Sequence, residues 1–298
     1  MRLTLLACLV LTACAAAQTP VAPTPAAFDG GRAFEDLKKI VAIGPRPAGS
    51  EGAQKTRDYI QQQLAAIGVQ AVEQVFDETT PAGKVRMVNI SATLPGTGQG
   101  RLVIAGHYDT KLIKEFAFVG ANDAGSSTAF LIELARSLKG RTNAVPIELL
   151  FLDGEEAVGE WATGNTFGSR HYVDVAVKAG TAKQIKAMIL VDMIADRDLV
   201  IKRESNSTPW LKDVIWSAAK RLNRPEFVSD ATPIEDDHLP FLAAGIDSVD
   251  LIDLDYPDAT MRYWHTADDT LDKTAAASFQ AVADVLLAAL PAIELRIK

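Results

Sequence analysis

Short apolar runs that end in acidic or imidazole side chains recur through this chain, and the run Ile147 to Leu152 leads directly into Asp153-Gly154-Glu155-Glu156-Ala157. The run is brief, partly β-rich in composition and preceded by Pro146, so it reads as a buried strand. A strand thus delivers adjacent carboxylates to its C-terminal end. Successive side chains on an extended segment point in opposite directions, so Glu155 and Glu156 face different surroundings. One can meet a metal while its neighbour faces a substrate. Hydrolytic or acyl-transfer chemistry on a zinc site needs that split: one ligand, and one proton carrier free of coordination. Taken alone, the same residues also read as a solvated turn.

The pattern around this run sets the fold class. From Arg101 onward, strands alternate with helices, which favours parallel βαβ units and an α/β fold on a mixed, mostly parallel sheet. The expected strands are 102–106, 147–152, 188–191, 199–202 and 246–252, and the expected helices are 128–138, 169–177, 210–222 and 275–295. Upstream, helical patterns cover 32–43 and 50–67, with Ser50 as the cap of the second and Gly68 as its stop. Between them Gly44 to Ser50 forms a rigid loop. Strands over 69–76 and 86–94, separated by a turn region from Asp77 to Lys84, form an antiparallel edge. A length of 298 residues, 48% of them hydrophobic, suits one large domain, expected over 28–298. The formal charge of −8 and the lack of any Lys/Arg cluster exclude nucleic acid as a partner.

Residues 1–17 read as a targeting segment, with a positive start at Arg2 and an apolar region too short to span a bilayer. Leu11-Thr12-Ala13-Cys14 resembles the lipobox of bacterial lipoproteins, which would place a lipid anchor at Cys14. Secretory cleavage after Ala15-Ala16-Ala17 is the alternative. Either route takes the protein out of the cytoplasm, to a bacterial periplasm or cell envelope. Residues 18–27, rich in Pro, Ala and Thr, are an extended linker. Both cysteines, Cys8 and Cys14, lie in the targeting segment, so the domain has neither a disulfide nor a thiol nucleophile.

His107, Asp123, Glu156, Asp192 and His265 each follow an apolar strand or lie in a loop near one. In open α/β sheets the ligand crevice lies outside the carboxyl ends of the strands, so side chains far apart in sequence converge there. Imidazole and carboxylate are suitable zinc ligands, with water or substrate in an open position. Singly, each residue also reads as a hydrogen-bonded histidine, a helix cap or a turn residue, and no pair has diagnostic spacing.

The ordered series Gly106-His107-Tyr108-Asp109, Gly120-Ala121-Asn122-Asp123, Asp153-Gly154-Glu155-Glu156, Gly168-Ser169-Arg170 and Trp264-His265-Thr266-Ala267-Asp268-Asp269-Thr270 resembles the M28 family of zinc aminopeptidases and glutaminyl cyclases. The resemblance runs from about Gly44 to the C-terminus. It implies a three-layer α/β/α sandwich of the phosphorylase/hydrolase-like kind. For the aminopeptidase branch it implies two zinc ions on His107, Asp123, Glu156, Asp192 and His265, with Asp123 bridging and Glu155 as general base. For the cyclase branch it implies one zinc ion on Asp123, Glu156 and His265, with Glu155 and Asp192 acting on the substrate.

Local features resemble the cyclase branch: the loop that carries Trp161 after Glu156, the acidic motif Ile234-Glu235-Asp236-Asp237-His238, and Trp264 before His265. Asn122 to Ser126 looks as much like an aminopeptidase, and Tyr256 to Tyr263 is a longer approach to Trp264 than the cyclase pattern has. The cyclase resemblance implies that an N-terminal glutamine of a peptide or protein closes to a lactam with loss of ammonia. Glu155 would carry the proton, Asp192 supported by Asp236 would bind the transferred amide nitrogen, and Trp161, Ile234 and Trp264 would wall an apolar pocket. The alternatives are a di-zinc aminopeptidase, which activates water instead, and a non-catalytic surface lipoprotein. His171 and His238 read as structural, His238 holding the acidic loop. Asp247, Asp250, Asp253 and Asp255 lack the spacing of a calcium loop and read as a solvated strand edge.

Overall fold

The computed structural model describes residues 27–298. The expected lipobox with its Cys14 and nearly all of the expected linker lie outside the described residues. Helix α1 (Gly30–Ile43) starts where the Asp29 carboxylate accepts the Arg32 N–H, and it buries Ala33, Leu37 and Ile40 at helical spacing. Helix α2 (Glu51–Ala66) is capped as expected, the Ser50 side chain accepting the Ala53 N–H.

Six strands form the main sheet: β1 (Ala71–Thr80), β2 (Gly83–Leu94), β3 (Arg101–His107), β4 (Ile147–Leu152), β5 (Ile185–Asp192) and β8 (Ser248–Ile252). Their order is β1-β2-β4-β3-β5-β8. Strand β2 runs antiparallel to β1 and β4, while β3, β4, β5 and β8 are mutually parallel. A second, parallel pair consists of β6 (Ile201–Glu204) and β7 (Phe227–Thr232). The remaining helices are α3 (Gly125–Leu138), α4 (Phe167–Lys178), α5 (Pro209–Leu222), α6 (His238–Ala243) and α7 (Ala276–Ile297).

Alternation along the strands builds the layers. Leu102, Ile104, Leu149 and Ile189 face a core shared with α1, α3, α5 and α7. Val103, Ala105, Leu150 and Leu190 face the opposite way, onto Tyr172 and Val173 of α4 and Phe241 of α6. The result is a three-layer α/β/α sandwich. Its central strands are buried on both faces, which is why they read as continuous apolar runs. Helix α7 is long and apolar enough to cross a membrane, with a mean hydropathy of 1.7, yet it packs against α1 and α5. Because β3, β4, β5 and β8 are parallel, their C-terminal ends meet at one edge.

Two expectations need correction. Most of the supposed turn from Asp77 to Lys84 is ladder, since Thr80 pairs with Gly83 and leaves only Pro81 and Ala82 between the strands. This hairpin projects from the core, so its arms can be polar, and Lys84 and Asp77 pair across it at 3.0 Å. Of the four acidic residues read as a solvated strand edge, Asp247 is exposed and Asp255 half-buried, but Asp250 and Asp253 are fully buried, where β6, α5 and α6 pack against β8. Strand β7 and helix α6 were not expected: only Phe227 of β7 is buried, and α6 is a single short helix without a side-chain cap.

Asp253 accepts the Val200 N–H at 2.7 Å with one oxygen, while the other is buried without a partner. Burial pushes its carboxyl up to about 8; the Val200 N–H opposes this, and Asp196 and Asp255 add to it. The folded protein thus holds a proton that an unfolded chain releases near pH 4. The stability from this group is full below about pH 4 and lost as pH rises through about 8. Asp253→Asn should remove that loss, gaining on the wild type by about 1–3 kcal/mol between pH 4 and pH 8. Urea unfolding at both ends of that range checks this, and an equal difference at both would contradict it.

Candidate active site

The end of β4 is fixed before its glutamates begin. Asp153 accepts the Val88 N–H at 2.8 Å and donates its own N–H to Asn89 Oδ1 at 3.1 Å. Gly154 then turns the chain with a φ of +70°, a conformation that glycine adopts without cost. Beyond it, Asp109 accepts both following amides, Glu155 N–H at 3.1 Å and Glu156 N–H at 3.3 Å. The side chains diverge from this shared anchor, which lies beyond the end of β4, so the Gly154 turn and the two Asp109 bonds set their directions rather than strand alternation. Glu155 lies 3.9 Å from His107 Nδ1, and Glu156 lies 3.0 Å from His265 Nε2.

The expected metal-capable residues come together in two groups that share Asp123: Asp123, Glu156 and His265, and His107, Asp123 and Asp192. Asp123 Oδ2 lies 3.2 Å from His265 Nε2, while its Oδ1 lies 3.3 Å from His107 Nε2. Asp192 Oδ1 is 3.2 Å from the same His107 nitrogen. The donor atoms within each group all lie within 4.8 Å of one another. Carboxylate and imidazole donors at this closeness, nearly all buried, fit a divalent ion of the zinc type. The electrostatics agree. Burial opposes the charge on His265, but Asp123 and Glu156 outweigh it and raise the imidazole to about 9. His107 is likewise raised well above its ordinary value, against burial, chiefly by Asp192. Burial opposes ionisation of Asp123, but the two histidines hold it below the usual carboxylate range.

A cavity of about 410 Å³ opens beside these groups. Glu155, Asp192 and Asp236 line it together with Asp123, Glu156 and Glu235, and Trp161, Ile234 and Trp264 form its walls. Trp264 stacks on His265 with ring centres 4.0 Å apart, and the Trp161 indole N–H donates to Glu235 at 2.7 Å. Burial pushes Glu155 well above the carboxylate range; His107 opposes this, while Glu156 and Asp236 add to it. Asp236 is raised in the same way by burial, Asp192 and Asp237. One Asp236 oxygen accepts the Asp237 N–H at 2.5 Å, and the other is buried without a partner. Behind it the buried His238 sits 3.2 Å from Glu204 of β6 and 3.7 Å from Asp250 of β8, rather than against the acidic loop itself.

Residues 89–290 match the family described as Peptidase family M28. A glutaminyl cyclase structure from an Acidobacteriales bacterium superposes with a TM-score of 0.85 at 39% identity, covering 94% of this chain and 100% of that one. The chain belongs to peptidase family M28, in its glutaminyl cyclase branch. The glutaminyl-peptide cyclotransferase of Bothrops jararaca is 31% identical over 271 residues, which cover 76% of this chain and 73% of that protein. The glutaminyl-peptide cyclotransferase-like protein of Mus musculus is 30% identical over 257 residues, covering 76% of this chain and 66% of that protein.

Around the M28 site stand residues whose role the sequence does not announce. Asp269 accepts the N–H groups of Asn122 at 2.8 Å and Asp123 at 3.1 Å, and also the Tyr256 hydroxyl at 2.8 Å. Arg46 is fully buried and donates to the carbonyls of Tyr108, Val119 and Gly120 at 2.6–2.8 Å. It ties together the loops that carry His107 and Asp123. Asp109 and Asp269 lie inside the quoted motifs, and Arg46 in the Gly44–Ser50 loop, yet their bonds to distant backbone have no sequence signal. Replacing Asp269 with Asn exchanges one acceptor oxygen for a donor and loosens Asp123. Metal affinity should fall about 10- to 100-fold, measured by chelator competition, and an unchanged affinity would contradict the role given to Asp269.

Proposed function

We propose that this protein is a zinc-dependent glutaminyl-peptide cyclotransferase, converting the N-terminal glutamine of peptides and proteins to pyroglutamate with release of ammonia. The observation that carries this reading is the buried acid pair Glu155 and Asp236, facing a tryptophan-walled cavity beside Asp123, Glu156 and His265. Those last three residues would hold the zinc ion. When bound there, zinc supplies Lewis acidity that polarises the γ-carbonyl of the glutamine.

The chain's own residues account for the rest of the reaction. Trp161, Ile234 and Trp264 enclose the glutamine side chain and keep water away from its carbonyl carbon. Glu155 accepts a proton from the α-amine as that nitrogen bonds to the carbonyl carbon of the side-chain amide. It returns the proton to the amide nitrogen as the carbon–nitrogen bond breaks and ammonia leaves. A carboxyl raised by burial suits both halves of this transfer, because it holds a proton more readily than an exposed carboxylate and can still pass it on. Asp192, with one oxygen held by the Met193 N–H at 2.8 Å, and Asp236 both line the cavity and would bind the departing amide nitrogen. The expected targeting segment further supports an exported enzyme, with Cys14 as its lipid anchor.

A second reading draws on the His107, Asp123 and Asp192 group, which would hold a second ion in a di-zinc aminopeptidase. Metal analysis separates the two: about one zinc per chain supports the cyclase and about two the peptidase. N-terminal Gln peptides should release ammonia without shortening, and a Leu-anilide should not be cleaved. The variant Glu155→Gln should lose about a hundred- to ten-thousand-fold in kcat while keeping its zinc. Loss of the metal in that variant would reverse the roles of Glu155 and Glu156.

A further inference from the structure

The cavity that holds Glu155 and Asp236 continues past Trp161. A second groove, lined in part by Val173, Leu239 and Pro240, shares Trp161, Glu235 and Asp236 with it, whereas the other described cavities share no residue with it. A peptide whose N-terminal glutamine fills the cavity therefore leaves across the lip formed by Trp161 and Glu235.

The charge on that lip is not balanced. Glu235 is exposed, and its bond is to a neutral indole donor, which leaves its negative charge in place. Among the described residues no lysine or arginine pairs with it. Lys111, the cation lining the cavity, is engaged by Glu156 at 3.4 Å and by the Ala157 carbonyl at 3.3 Å. Arg170 and Asp174 border only the second groove, where Arg170 donates to Thr166 Oγ1 at 2.9 Å and Asn165 Oδ1 at 3.0 Å, and Asp174 pairs with Lys178 at 3.8 Å.

We propose that Glu235 determines the preferred sequence context of the substrate, favouring a lysine or arginine directly after the N-terminal glutamine. The inference rests on the cyclase reading. A side chain at that position crosses the lip within a few bonds of the carboxylate. Opposite charges attract there and like charges repel, in an exposed setting that salt screens.

The test compares kcat/KM for two amidated tetrapeptides, Gln-Lys-Ala-Phe and Gln-Glu-Ala-Phe, in the wild type and in Glu235→Gln. Glutamine keeps an acceptor for the Trp161 indole, so the wall is preserved while the charge is removed. At low salt the preference for the lysine peptide should be about five-fold greater in the wild type than in Glu235→Gln, and this difference should shrink at about 0.5 M salt. Equal preferences in the two proteins, or a difference insensitive to salt, would overturn the assignment while leaving cyclisation intact. Absence of lactam from both peptides would overturn the cyclase reading itself, and this inference with it.

Discussion

Carboxylates gathered out of water are tolerated only where cations, backbone N–H groups or bound protons answer their charge, and this protein places many of them at one edge of one sheet. Glu155, Asp192, Asp236, Asp237 and Asp250 are all buried there, and burial together with neighbouring carboxylates pushes each towards its protonated form. Other carboxylates in the same region are engaged by nearby donors. Asp109 and Asp269 each receive a pair of N–H groups, although burial still pushes Asp269 up to about 7, and Glu204 is held down to about 2, against burial, by His238 and nearby donors. The first kind are left with protons to exchange, while the second kind hold loops in place. Asp123 and Glu156 stand between, within reach of histidine and of a metal ion.

The sheet makes this arrangement possible. Parallel strands bring His107, the Glu155–Glu156 pair and Asp192 to the same edge, and helices on both faces seal the strands that lead there. The two readings of the site draw on the same residues and differ in how many ions those residues would hold and in whether water takes part. A wall of Trp161, Ile234 and Trp264 favours a nucleophile that arrives with the substrate. Backbone strain at the same edge fits a functional centre: Met193 and His265 both have positive φ, at 48° and 54°.

The parts of this structure that are legible in the sequence are those set by local period. Strand β4 can be read to the residue because burial on both faces makes it one apolar run, whereas the turn at Gly154 that leads into Glu155 and Glu156 lies beyond that run. The Ser50 cap is legible for a similar reason, since it bonds three residues away. What the sequence hides depends on partners distant in the chain. Asp250 and Asp253 look solvated in sequence because their burial comes from β6, α5 and α6, and the hairpin arms near Asp77 look like a loop because, Phe76 and Thr80 apart, their side chains stay exposed or half-buried. Asp109, Asp269 and Arg46 sit in recognisable motifs, yet their work is done on backbone groups 46 to 147 residues away.

The central claim is that Glu155 moves a proton within the substrate and that water is excluded from the bond being made. Mass spectrometry of an N-terminal Gln peptide turned over in 18O-labelled water tests this directly. The account predicts a full-length product lighter by one ammonia and free of 18O. A shortened peptide, or a glutamate product carrying 18O, would show that water attacks at this site and would contradict it.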